Sequence, residues 1–146
     1  MMRMESTESY IESSFRNAKR LVVLFVVYAI TLPFVSLILP GSEHPPSAGT
    51  IMISWAMVLM MPLEILLVYV IYLAFRRRSI SFDIMGPAVL MFVMATVPSI
   101  YTVVIGLINS PLRYLAASLG LIFSLVGLWL SLRFVSALKE QVVDLQ

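Results

Sequence analysis

The chain has 146 residues, 60% hydrophobic and only 12% charged, with ten basic and eight acidic side chains and a mean hydropathy of +0.98. Soluble domains carry about 25% charged residues, so this apolar content cannot all turn away from water, and the matching solvent is a bilayer. That excludes a secreted enzyme, a cytosolic globular domain and a nucleic-acid-binding module; the absence of cysteine also removes disulfides, thiolate metal sites and thiol catalysis.

Residues 1–20 are polar and mixed in charge, without the short apolar core and small-residue cleavage site of a signal peptide. Ser6 or Thr7 can cap a helix on which Ile11, Phe15, Ala18 and Val22 share one face. The expected element is a cytoplasmic amphipathic lead-in that lies at the membrane surface and runs into the first span. Four apolar segments follow, at about 21–39, 51–75, 84–108 and 114–132, the first ending at Pro40-Gly41. Each supplies the roughly 20 residues that a bilayer-crossing helix needs. None alternates polar and apolar residues as barrel strands do. The expected fold is an all-α integral membrane protein: a transmembrane domain over 21–132, a bundle of four transmembrane helices, and a cytoplasmic helical tail over 133–146.

Basic residues orient the spans. Arg3, Arg16, Lys19, Arg20, Arg76, Arg77, Arg78, Arg133 and Lys139 fall on one side, and Arg113 alone falls on the other. Positive charge stays in the cytoplasm, so both termini are expected there and the protein is expected in the cell membrane. The outer loop from Pro40 to Thr50 holds Glu43 and His44, too few ligands for a zinc site.

Glu64 is the one carboxyl deep inside an apolar run, in Met60-Met61-Pro62-Leu63-Glu64-Ile65. An intramembrane ionisable residue is costly and points to function by default. No lysine or arginine stands at comparable depth, so the neutral carboxyl is the expected form. Pro33, Pro62 and Pro98 also fall near mid-span, and each frees the carbonyl four residues earlier, on Ala29, Val58 and Met94. With Thr31, Thr96, Ser99 and Thr102 adding hydroxyls, these groups could surround Glu64 as a polar cavity for a proton or ion. The competing expectation is a neutral hydrogen-bonded clasp between helices, worth about 0.5–2 kcal/mol.

In the fourth segment Ala117, Gly120, Ser124, Gly127 and Ser131 recur at spacings of 3, 4, 3 and 4. This heptad seam of small residues lets two backbones approach closely. The seam can pack within the monomer or against a partner; its phase continues through Phe134, Leu138, Gln141 and Leu145, which favours a partner or a second copy, since only residues 1–20 of this chain could otherwise cover the tail. Met57 and Met61 stand one turn apart, a spacing that suits copper(I), but the methionines read as adaptable packing.

The expected function is that of a non-catalytic accessory or scaffold subunit of a membrane assembly, acting through the fourth-segment seam. The alternative is a small oligomeric ion- or proton-coupled transporter, with Glu64, Thr31, Thr96 and Ser99 as its site. No catalytic residue, cofactor or metal is expected. The expected partners are the lipid bilayer and either further copies of the chain or other membrane subunits, with no nucleic acid.

Overall fold

The computed structural model describes residues 2–41, 43–78 and 84–144, with side chains from Glu5 onward. Within them the chain forms four helices: α1 (Met2–Ile38), α2 (Ala48–Arg77), α3 (Met85–Leu107) and α4 (Arg113–Asp144). All four are long and apolar enough to cross a membrane, and the architecture fits a multi-pass membrane protein.

The helix ends have local causes. Ser47 caps α2, its Oγ accepting the Thr50 amide N–H at 3.2 Å, so α2 starts three residues ahead of the apolar run. At its other end Arg76 and Arg77 occupy the last turn, where cations suit the helix dipole. Asn109 terminates α3 with φ 52°, a left-handed conformation that asparagine tolerates. Its amide donates to Gly106 O at 3.1 Å. Arg113 donates from Nη2 to the same carbonyl at 2.6 Å. Pro33, Pro62 and Pro98 all lie inside continuous helices.

α3 and α4 form the central pair. Each contacts the other and both outer helices, whereas among the described residues α1 and α2 do not meet. Half of the most apolar stretch of α3 is buried, against 22% for α1 and 28% for α2. Lipid therefore has the outer helices to cover. Glycines set the closest crossings. A Cβ on Gly106 would stand 2.6 Å from the Ser36 carbonyl oxygen of α1, and one on Gly120 would stand 2.9 Å from the Pro98 carbonyl oxygen of α3. At Gly127 it would press on Ala95 and on Ile65 of α2.

The seam of α4 is thus turned inward. Ala117, Gly120, Ser124, Gly127 and Ser131 are all buried within the chain, and α3 lies against them. The C-terminal part of α4 is covered from inside as well. Leu138 and Val142 share one apolar cluster with Ile11 and Ala18 of α1. Tyr72 stacks on Phe134 with ring centroids 4.4 Å apart, and Gln141 Nε2 donates to Arg76 O at 3.2 Å. Residues 2–20 are the first part of one 37-residue helix, and their apolar face meets the α4 tail. The apolar positions of that tail need no second chain to cover them. Leu145 lies outside the described residues.

Candidate functional site

Ser54, Val58, Met61, Glu64, Val68 and Tyr72 form the buried stripe of α2. Their spacings of three and four keep one helix face inward. Glu64 belongs to that stripe by periodicity alone, so its carboxyl is carried into the bundle and left only 6% exposed. Tyr101 of α3 meets it: the phenol O–H donates to Glu64 Oε1 at 2.7 Å. Tyr101 itself packs beside an apolar cluster of Val58, Met61, Ile105 and Ala116. The second oxygen, Oε2, is buried with no hydrogen-bond partner among the described residues. Among the described residues no cation stands at ion-pair distance from the group. The ion pair among the described residues, Arg16 with Glu12 at 4.0 Å, is two-thirds exposed at the far end of α1.

A carboxyl has two oxygens and about four lone-pair sites, and one phenol satisfies only one of them. Burying the rest without partners costs free energy in either protonation state. Chemically the pair can hold a proton on the carboxyl, with Tyr101 fixing the orientation of Oε1. It can also present Oε2 to a small cation. Among the described residues no group of three or more histidine, cysteine or acidic side chains could hold a metal.

The expected polar cavity is divided. Ser99 of α3 faces away from Glu64's partner, into a second site shared by α1 and α4. Its Oγ lies 3.0 Å from Ala29 O, 2.7 Å from Ser124 Oγ and 3.5 Å from Gly120 O. Its backbone N–H donates to Ser124 Oγ at 3.1 Å. Ala29 O is the carbonyl that Pro33 frees, so the proline on α1 creates the acceptor that Ser99 fills. Thr96 is buried but bonds within its own helix, to Val93 O at 2.8 Å and Phe92 O at 3.3 Å. Thr31 is exposed on α1, which does not reach α2. Of the four expected site residues, Glu64 and Ser99 therefore anchor separate polar sites, and Thr31 and Thr96 belong to neither.

Sequence reasoning missed Tyr101. The available signal was a tyrosine well inside an apolar run, where interfacial anchoring does not explain it. The methionines divide by face: Met61 and Met91 are fully buried, whereas Met52 and Met60 point outward. That distribution is packing, as their flexibility suggested.

Compared with known proteins, the chain matches no family model, no curated protein and no solved structure.

Proposed function

We infer that this chain is a small proton- or ion-coupled membrane transporter in which Glu64 is the coupling carboxyl and Tyr101 its positioning residue. The observation that carries this reading is Glu64 Oε2, buried in the bundle with one oxygen held and the other unpartnered. A structural clasp is expected to satisfy both oxygens, whereas a site that takes up and releases a charge keeps capacity free. The nine-to-one distribution of basic residues supports cytoplasmic termini, and with them residence in the cell membrane.

Proton flux into proteoliposomes tests the reading, with Glu64→Gln compared against wild type. The expected outcome is loss of flux with an unchanged helical spectrum and an unchanged elution volume. Wild-type flux in a folded Glu64→Gln protein would end the proposal.

A second reading, a non-catalytic accessory or scaffold subunit, draws support from the outer faces of α1 and α2. Among the described residues Val23, Val27 and Phe34, and Ile53, Leu59 and Leu66, are left largely exposed. Its partner would sit there, as another membrane subunit or a second copy, because the α4 seam is already against α3.

A further inference from the structure

At the basic end of the bundle, α1 and α4 leave a groove of 260 Å³ lined by Phe15, Lys19, Trp129, Leu132, Arg133 and Ser136. Two cations, Lys19 and Arg133, line it, and Lys139 reaches its Phe15 ring from the adjoining groove. Lys19 Nζ stands 4.6 Å from the centre of the Phe15 ring, and Lys139 Nζ reaches the same ring at 4.6 Å. The Arg133 guanidinium lies 4.9 Å from the centre of the Trp129 ring. Each ring attracts its cations, but two ammonium groups gathered on one ring repel each other. Among the described residues none of the three has a carboxylate at ion-pair distance. Glu140 and Asp144 line the adjoining groove with Lys139 and form no ion pair with it. The groove thus has a local excess of positive charge and hydrogen-bond donors.

Its depth narrows the choice of anion. Lys19 and Arg133 stand just outside the apolar runs that begin at Leu21 and end at Leu132. Lipid phosphates occupy that level, and Trp129, half-exposed just inside it, has the amphipathic ring typical of the interface. A guanidinium matches phosphate oxygens in a planar fork, an ammonium adds a point charge, and Ser136 offers a hydroxyl. Leu132 and the Trp129 ring supply apolar surface for the start of an acyl chain.

We propose that this groove binds the headgroup phosphate of an anionic phospholipid, held by Lys19 and Arg133 and closed by Lys139. The site is distinct from the triple arginine at the end of α2, and it depends on neither reading of Glu64.

The test titrates dihexanoyl phosphatidylglycerol into the detergent-solubilised full chain, with adducts counted by native mass spectrometry and dihexanoyl phosphatidylcholine as comparison. The wild type is expected to prefer the anionic lipid. The Lys19→Gln/Arg133→Gln variant is expected to bind it about tenfold more weakly or worse. Lys19→Arg/Arg133→Lys, which keeps both charges, should retain binding, and so should the Arg76→Gln/Arg77→Gln/Arg78→Gln variant, which removes more charge elsewhere. If the double glutamine variant does not fold, the two single changes decide, each expected to weaken binding about fivefold. Undiminished binding in the glutamine variants would overturn the proposal. So would an equal loss in the triple-arginine variant, or complete displacement of the lipid by equimolar inorganic phosphate, which would make free phosphate the ligand.

Discussion

Ser99 and Glu64 both carry polar atoms into the interior of the bundle, and their neighbours treat them in opposite ways. Ser99 sits where three helices cross on small residues, with Ala29, Gly120 and Ser124 all within hydrogen-bond reach. Its hydroxyl has one proton and is small enough for backbone carbonyls to surround it. Glu64 of α2 is met from α3 by the Tyr101 hydroxyl, and its second oxygen has no partner among the described residues. At Ser99 the small residues set a close crossing, with Gly120 directly under the Pro98 carbonyl. Close approach brings carbonyls and amides within range, so a polar group is fully satisfied and the site becomes rigid. A single tyrosine hydroxyl leaves the Glu64 carboxyl with spare capacity, and spare capacity is what a binding site requires.

The largest expected effect comes from removing the close approach. Gly120→Leu drives a side chain into the Pro98 carbonyl and Thr102, and backbone cannot swing aside as a side chain can. A loss of about 3 kcal/mol or failure to accumulate folded protein is expected, read by thermal unfolding in detergent. Gly49→Leu, where the nearest neighbour is Ser47 Oγ at 3.7 Å, is the control and should unfold near the wild-type temperature. A folded Gly120→Leu protein with unchanged unfolding would show that α3 and α4 do not meet at this crossing.

A smaller loss is expected on emptying the satisfied site while keeping its shape. Ser99→Ala strands the Ala29 carbonyl that Pro33 has already deprived of its helical donor. About 1 kcal/mol of stability should be lost, and Ser124→Ala in the same background should add little, since the two hydroxyls share one network. Full additivity of the two changes would separate them into independent sites.

The smallest stability change is expected at the site read as functional. Tyr101→Phe removes the single bond to Glu64 and should cost about 0.6 kcal/mol, while altering the pH dependence of flux by more than stability implies. A stability loss with an unchanged flux profile would make Tyr101 a packing residue and weaken the contrast with Ser99.

Several parts of this structure were legible in the residues. Proline chemistry marks Ala29 O as an acceptor in need of a donor, and Ser99 is among the hydroxyls at similar depth. The periodicity of Ala117 through Ser131 identified a helix face built for close contact. Glu64 stood out because every neighbour in its run is apolar. Tyr101 did not stand out, since a tyrosine between aliphatic residues carries no sign of which helix it will face.

The number of long apolar segments and the small-residue face of α4 were determined by the sequence alone. Hydropathy and helical periodicity are local properties, set within a few turns of one helix. Only the tertiary structure decided that the α4 seam lies against α3 and that residues 2–20 cover the α4 tail. It also decided that α1 and α2 stand apart, and that Glu64 meets Tyr101 rather than Ser99. Each of those outcomes depends on how four helices rotate about their axes to satisfy all their contacts together. No single segment encodes that sum, because a helix face acquires its partner only when the other three have chosen theirs.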